Sequence, residues 1–309
     1  MARRYYRKLA ILAKVEAGYG TDAAPTGATN AMLMTDVTVT AMEGDKVSRD
    51  LLLPYFGDQG FVLAGLHAKV EGSIEIAGAG AKGTVPGYGA LLRACGLSET
   101  VTAGAKVEYR PVSASQESVS LYANLDGVNH VLLGARGTVT ASFTPKQIPK
   151  FRFSLSGLLG PVADTPLPTA SFAAFQKPLV CSKANTTFAL HGLQPVMESL
   201  SLDLGNQVEP RMLVNAESIE ITDRKVSGTT VIEAVALAVK DWFTAAQASR
   251  TGALLLTHGV ADGGIVELEA AAAQVGQPTY GNTQGILNTS LPLALCPVSG
   301  DDEITIRVR

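Results

Sequence analysis

Apolar and polar residues alternate most regularly between positions 119 and 160, and this pattern predicts two consecutive β-hairpins. Asp126-Gly127 separates the first two strands, and this dipeptide is typical of a tight hairpin turn. The predicted strands cover residues 119–125, 130–133, 138–144 and 151–155. One face of the second hairpin is predicted to be buried, through Val139, Ala141, Phe143, Phe151, Phe153 and Leu155.

The residues before this stretch predict further strands and one helix. Strands are expected over residues 7–15, 32–42 and 67–77, and the last of these separates Val70, Ile74 and Ile76 from Glu71, Ser73 and Glu75. Residues 43–61 predict a polar strand or hairpin with an exposed Leu-Pro-Tyr-Phe tip. Residues 86–97 predict a helix with a proline in its first turn and a stop at Gly96.

The second half repeats this order weakly. Residues 200–203 and 208–213 align with residues 37–40 and 47–52, separated by a two-residue gap. The expected elements that follow are a strand over residues 229–239, a helix over residues 241–258 capped by Asp241, and closing strands over residues 265–270, 285–294 and 303–308. Sequence identity between the halves is low, so a chance alignment of two β-rich segments is the alternative.

Proline marks the expected boundary between the two units. Residues 161–195 hold five of the fifteen prolines, a composition that suits a crossover. We therefore predict a first domain over residues 1–160, a Pro-rich crossover that begins the second unit over residues 161–195, and a second domain over residues 196–309.

Composition points to an assembly. Hydrophobic residues are 46% of the chain and charged residues only 17%, which suits a protein whose surface is hidden by neighbours; a compact enzyme with a large core is the alternative. The net charge of −3 argues against binding nucleic acid through its phosphates. Residues 1–160 carry +3 and residues 161–309 carry −6, and much of the positive charge is N-terminal.

The sequence contains no motif that indicates a catalytic, cofactor or metal site. The four histidines are scattered, the three cysteines lack CxxC spacing, and no phosphate-loop or GxSxG motif occurs. No run of 18 apolar residues exists, so no membrane-spanning helix is expected. Glu71 with Glu75, and Glu267 with Glu269, each share a strand face, which solvated sheet surfaces explain more simply than acid-base catalysis.

The pattern resembles the tail tube (major tail) proteins of long-tailed bacteriophages. The resemblance is carried by the Asp126-Gly127 turn, the glycine-flanked strand over residues 134–144 and the closing strand over residues 151–157. The opening segment before the VTVT strand also fits, so the pattern covers most of residues 8–160. Family members are often shorter, single-copy chains, and one tube domain with an unrelated outer domain is the alternative arrangement.

The resemblance implies a mainly β chain with one helix per repeat, a tail-tube-type β-sandwich/barrel fold in two tandem copies. Each copy would add about four strands to a shared inner β-barrel, and homotrimeric rings with pseudo-sixfold symmetry, or homohexameric rings, would stack into a tube. Twenty-four strands at about 4.8 Å spacing and roughly 40° tilt close at a diameter of about 48 Å, which is wide enough for duplex DNA.

Site residues follow from this resemblance. The candidates to face the lumen are Glu71, Ser73, Glu75, Glu233, Glu267 and Glu269, which would repel DNA phosphates. The candidates for a ring-stacking loop are Arg49, Asp50, Tyr55 and Phe56, and those for N-terminal arm contacts are Arg3, Arg4 and Arg7. Packing within the protomer is the alternative for Tyr55 and Phe56, and a solvated terminus is the alternative for the basic arm.

The expected protein is a structural virion component of the tail, assembled in the host bacterial cytoplasm, with no enzymatic activity and no cofactor. Its expected partners are further copies of itself, the tape measure protein, and tail terminator or distal tail proteins, while DNA passes without specific binding and no membrane is involved. The first alternative is a carbohydrate-binding or adhesive β-sandwich, which needs clustered aromatic side chains. The second is a glycoside-type enzyme, which needs a pair of carboxylates in a cleft. The third is a DNA-clamp ring, which needs a basic inner face.

Overall fold

The computed structural model describes residues 3–309, and 53% of the chain is strand against 5% helix. The predicted mainly β fold is therefore confirmed. The strands of the first half are β1 (Leu9–Val15), β2 (Ala31–Met32), β3 (Thr35–Ser48), β4 (Phe61–Glu75), β5 (Leu97–Thr102), β6 (Lys106–Pro111), β7 (Val119–Leu125), β8 (Val128–Phe143) and β9 (Lys150–Asp164).

The second half contains ten more strands, and the described residues form three short helices. The strands are β10 (Thr186–Leu190), β11 (Met197–Asp203), β12 (Asn206–Leu213), β13 (Ala216–Arg224), β14 (Ser227–Glu233), β15 (Thr251–His258), β16 (Val266–Val275), β17 (Thr279–Thr283), β18 (Ile286–Leu295) and β19 (Thr305–Val308). The helices are α1 (Gly27–Asn30), α2 (Gly89–Ala94) and α3 (Trp242–Gln247).

One run of eight antiparallel strands crosses both halves, and we call it the long sheet. Its order is β3-β4-β9-β8-β11-β14-β18-β17. β12 and β13 form a separate two-stranded sheet. The other strands form a second layer over the long sheet, with β19 inserted between β16 of the second half and β6 of the first. Between the layers, Val139, Phe151 and Leu202 face Leu268 and Ile306 across a cavity of only about 10 Å³, so the two layers enclose the core.

The same series of strand pairings occurs twice along the chain. In the first half β1 pairs with β7, β3 with β4, β4 with β9 and β7 with β8. In the second half β10 pairs with β15, β11 with β14, β14 with β18 and β15 with β16. Each series also ends in a hairpin of the long sheet, β8 with β9 and β17 with β18. The pairing of β8 with β11 joins the two series edge to edge.

Several local predictions are confirmed. Asp126 and Gly127 adopt positive φ angles of 44° and 102° and close the hairpin of β7 and β8. All six core residues predicted for the second hairpin are buried. Gly96 ends α2 with a φ of 72°, a conformation that glycine adopts without strain. The Asp241 side chain accepts a hydrogen bond from the Thr244 backbone N–H, as predicted for the cap of α3.

The predicted helix over residues 241–258 is wrong beyond Gln247. Ser249, with a φ of 49°, ends the helix, and Thr251–His258 form β15 instead. The three consecutive leucines obscured the alternation, because Leu254 and Leu256 are buried while Leu255 is 39% exposed. Pairing with β10 and β16 on both sides therefore decides the conformation of this segment.

Two strand boundaries also differ from prediction. The strand expected over residues 229–239 ends at Glu233, and a turn follows. The break expected between the strands over residues 130–133 and 138–144 is instead an irregularity within the continuous strand β8, where the register to β9 shifts between Leu133 and Arg136. The strand bends there without breaking, as β-bulges allow.

The segment that follows β9 packs onto the first half. The Ser171 N–H donates to the Gly27 carbonyl over 2.8 Å, and the Cys181 N–H donates to the Gln147 carbonyl over 2.9 Å. Backbone hydrogen bonds therefore hold this Pro-rich connection in place before it enters β10.

Candidate functional site

The long sheet ends in two open edges. The outer strand β3 has no fully buried residue, and all five residues of the opposite outer strand β17 are exposed. An open edge presents unpaired backbone N–H and C=O groups, which are a template for pairing with another strand. The two edges are therefore candidate surfaces for contact with further chains.

The middle of the long sheet shows how two such edges fit together. At the junction of β8 and β11, Phe143 lies opposite Leu200, Ala141 opposite Leu202, and Thr140 opposite Asp203. The apolar residues of this junction are all at most 4% exposed. An edge of the first half thus pairs with an edge of the second half within one chain.

Hydroxyl side chains cover the face of the long sheet that points away from the core, and we call it the polar face. Residues directly opposite in adjacent strands share a face, so the strand register defines the set. Its hydroxyl residues are Thr35, Thr38, Thr40, Ser73, Thr138, Thr140, Ser142, Ser154, Ser156, Ser199, Ser201, Ser227, Thr229, Thr279, Thr283 and Ser290. Such a surface offers many weak hydrogen bonds and few fixed charges.

Four of the predicted lumen residues lie on the polar face. Ser73 is only 6% exposed, and Glu75 and Glu233 are half-buried. Glu71 forms ion pairs with Lys69 at 2.6 Å and Arg152 at 2.8 Å, so its charge is compensated. Hydrogen bonding to Lys69 outweighs the effect of burial and lowers the pKa of Glu71.

The polar face carries different charge in its two halves. On β4 and β9 the basic side chains are Lys69, Lys150 and Arg152, and they balance neighbouring carboxylates. On β11, β14, β17 and β18 the sequence contains no lysine or arginine, and Asp203 and Glu233 are on the polar face. The polar face of the second half is therefore acidic, whereas that of the first half carries charges of both signs.

Glu267 and Glu269 lie elsewhere, on the outer surface of the second layer. Their neighbour Leu268 faces the core, so the two carboxylates point away from the long sheet. Arg307 binds both carboxylates at 3.0 Å, and Arg309 binds Glu267 at 2.6 Å. The six predicted lumen residues consequently do not share one surface.

The hairpin of β3 and β4 extends beyond the sheet, and we call residues 45–64 the first arm. Its tip is apolar and exposed as predicted, with Tyr55 at 67% and Phe56 at 107% exposure. Arg49 and Asp50 lie at the base of the tip and are also exposed. All four ring-stacking candidates are thus accessible on one projection.

The basic N-terminal residues are exposed. Arg4 forms an ion pair with Asp164 at 2.8 Å, and the Tyr5 N–H donates to the Asp126 carboxylate over 2.7 Å. Arg3 and Arg7 are exposed beside them. The segment is therefore held against the first half near the hairpin turn of β7 and β8.

Sequence reasoning missed the contact made by β12 and β13, which we call the second arm (residues 206–224). This arm folds back onto the first half. Arg136, only 8% exposed, donates to the Ile219 carbonyl at 3.0 Å and to the Glu220 carboxylate at 2.6 Å, and its guanidinium lies 4.7 Å from the centre of the Tyr19 ring. A lone arginine between glycines in a hydroxyl-rich strand was the available signal.

Three observations concern the chemistry of the described residues. Within residues 3–309 no group of three His, Cys, Asp or Glu side chains could hold a metal ion. Burial raises the pKa of the Cys95 thiol, which disfavours the nucleophilic thiolate. Over the same residues, no helix combines the length and apolar character needed to cross a bilayer.

Comparison with known families identifies the chain. The family model described as phage tail tube protein matches residues 7–308. No curated protein matches the sequence. Because the family match covers nearly the whole described length, the chain belongs to the phage tail tube protein family, and it is a structural protein of the phage tail.

Proposed function

We propose that this chain polymerises into stacked rings that form the tube through which the phage genome leaves the virion. The family match and the two open edges of the long sheet support this proposal. A closed ring pairs every edge strand, which removes the exposed backbone groups that a monomer leaves open.

The chain contributes two tandem copies of the tube fold in this proposal. The support is the series of strand pairings that occurs twice, in the same order and always antiparallel. Each copy gives four strands of the long sheet, so three chains supply a ring of twenty-four strands with pseudo-sixfold symmetry. The first copy ends near residue 160, and the second begins in the Pro-rich segment.

The polar face of the long sheet lines the channel. Hydroxyl groups hold a layer of water against DNA, and the face has no net positive charge to form persistent ion pairs with phosphates. Glu71, Ser73, Glu75 and Glu233 belong to this wall, and of these the Glu233 carboxylate, on the acidic half of the face, repels the genome. Glu267 and Glu269 belong to the outside of the tube, where their arginine partners face other components.

The protein is not an enzyme and takes no cofactor in this proposal. It assembles in the cytoplasm of the host bacterium and meets the tape measure protein inside the growing tube. Terminator and distal tail proteins bind the exposed ring faces at the two ends. Ring stacking uses the tip of the first arm, and the basic N-terminal residues contact neighbouring chains.

Electron microscopy of the purified protein tests the proposal. Threefold rings, or hollow tubes of stacked rings with pseudo-sixfold symmetry, are the expected class averages. Monodisperse monomers at high concentration, with no ring under any salt condition, would exclude the tube function and redirect the search to ligand binding.

A further inference from the structure

In each half a helix follows the hairpin that carries the arm, α2 after β3 and β4, and α3 after β11 to β14. The two halves differ in what covers the end of this helix. Residues 94–97 at the end of α2 are all buried, whereas residues 247–250 at the end of α3 are all exposed. Both helices end in a left-handed residue, Gly96 with a φ of 72° and Ser249 with a φ of 49°. The two ends therefore have similar local geometry and only one of them has a neighbour.

The second arm is the neighbour that covers α2. The Asn206 side-chain N–H donates to the Cys95 carbonyl at 2.7 Å and to the Gly137 carbonyl at 2.8 Å. The Ile221 methyl group lies 3.2 Å from the position that a Cβ on Gly96 would occupy. Ile219 is fully buried although it sits on an arm. The second half thus extends across the junction and covers the end of α2 in the first half.

The first arm corresponds to the second in length and position. Each arm begins where its hairpin leaves the long sheet, and a glycine with positive φ lies at this place in both, Gly65 at 62° on the returning strand of the first arm and Gly205 at 63° before the outgoing strand of the second. Val47 pairs with Val62 in the first arm, as Val208 pairs with Ile221 in the second. Val62 therefore takes the position of Ile221, yet it is 56% exposed, and Val47 is 53% exposed. The first arm has the apolar face of a docked arm without a surface beneath it.

We propose that the first arm docks onto the α3 end of the second half of the adjacent chain in the same ring. This inference rests on the proposed ring, and its occupant is a second copy of this chain. Val62 packs against Ser249 as Ile221 packs against Gly96. Asp45 takes the position of Asn206, and the exposed Arg250 supplies a cation for its carboxylate.

Docking of this kind leaves the tip of the arm free. In the second arm, which is docked, Leu213 and Val214 at the tip remain 55% and 91% exposed. The tip of the first arm, including Tyr55 and Phe56, consequently stays available to the next ring. One arm then makes two contacts, a lateral one through its paired strands and an axial one through its tip.

Cross-linking with a short bifunctional maleimide tests the lateral contact. The test protein carries Val62→Cys and Ser249→Cys. The partly exposed Cys296 is replaced by Ser in every variant, and the native Cys95 and Cys181 stay because they are buried. In assembled tubes the expected products are covalent dimers and trimers, and no larger species, because lateral links close within each ring. A ladder that continues beyond the trimer would place the arm on the next ring and overturn the inference.

The controls separate this inference from the proposed function. Each single-cysteine variant, and Val62→Cys combined with Ala103→Cys on the exposed turn after β5, are expected to give no trimer. One outcome contradicts the docking alone: microscopy shows rings of the double variant, and cross-linking yields no more product than in the single-cysteine variants. In that case the proposed docking is wrong, and the proposed tube function is unaffected. If the Cys296→Ser parent forms no rings, both proposals fall.

Discussion

Arg136 ties the second arm to the first half at the residue scale. Its side chain is 10% exposed and binds one carboxylate and three backbone carbonyls, those of Gln116, Glu117 and Ile219. Removing it leaves these acceptors without their charged donor. The sequence pattern marks Arg136 as unusual but does not identify its partners on the second arm, because they lie 83 and 84 positions away along the chain.

Arg136→Ala is expected to lower the free energy of unfolding by about 2–3 kcal/mol, the cost of losing hydrogen bonds from a largely buried charged group. Urea denaturation followed by circular dichroism measures it. Lys225→Ala is the matched control, since the Lys225 side chain is 87% exposed and its ion pair spans 3.7 Å, and a change within about 0.5 kcal/mol is expected there. Equal effects of the two substitutions would contradict the assigned role.

Glu267 is expected to make stability depend on acid pH. Burial raises its pKa, but hydrogen bonds from Arg309 and Arg307 outweigh burial, and the net pKa is lowered from 4.5. A carboxyl with a lowered folded pKa stabilises the protein above its ordinary value and loses this contribution as the pH falls through the folded value.

Glu267→Gln is therefore expected to destabilise the protein at pH 7 and to make progressively less difference below pH 4.5. Urea midpoints of wild type and variant, measured from pH 7 downward, give the comparison. Glu209→Gln, at an exposed carboxylate, is expected to track the wild type throughout. A gap between wild type and Glu267→Gln that stays constant with pH would refute the linkage.

At the scale of elements, strands were predicted correctly where apolar and polar side chains alternate, and the prediction was wrong where this alternation is missing. The hairpin of β8 and β9 was predicted with its buried face, because every second residue is apolar. Leu254 to Leu256 gave no alternation, and the strand β15 became visible only through its partners β10 and β16. Only residues 208–213 of the second arm entered a prediction, through their alignment with residues 47–52, and the docking of the arm depends on Tyr19 and Arg136 in the other half.

The tip of the first arm is expected to control tube length without affecting the protomer. Tyr55→Ser with Phe56→Ser should leave the free energy of unfolding within about 0.5 kcal/mol, because both rings are exposed. Rings should form, and negative-stain images should show them unstacked or in short tubes. Val298→Ser, at a site 65% exposed and outside the arm, serves as control, and normal tubes from the tip variant would assign stacking elsewhere.

At the scale of the whole molecule, the internal junction gives the register expected between chains. Asp203 aligns with Thr40, as residues 200–203 align with residues 37–40. Thr140 of β8 lies opposite Arg152 of β9 within the first half, and opposite Asp203 of β11 across the junction. In the second half Thr279 of β17 lies opposite Ser290 of β18, at the place that corresponds to the pair of Thr140 and Arg152. Thr279 of one chain is therefore expected opposite Thr40 of the next.

Thr40→Cys combined with Thr279→Cys is expected to form a disulfide between chains when rings are oxidised, because directly opposed residues of paired strands meet the required separation. Non-reducing gels should show a trimer, at about 96 kDa for three chains of 32.1 kDa. Thr35→Cys with Thr279→Cys is out of register and should remain monomeric. Trimers from the mismatched pair alone would disprove this register.

The pairing of β8 with β11 has an evolutionary consequence. These strands are parts of one chain, so they meet at an effective concentration set by the connection between them, of the order of millimolar or more. The contact proposed between β17 and β3 of separate chains depends instead on the protein concentration. If rings form through this contact, selection is expected to act more strictly on β17 and β3, and substitutions to accumulate faster across the tethered junction than across the open one.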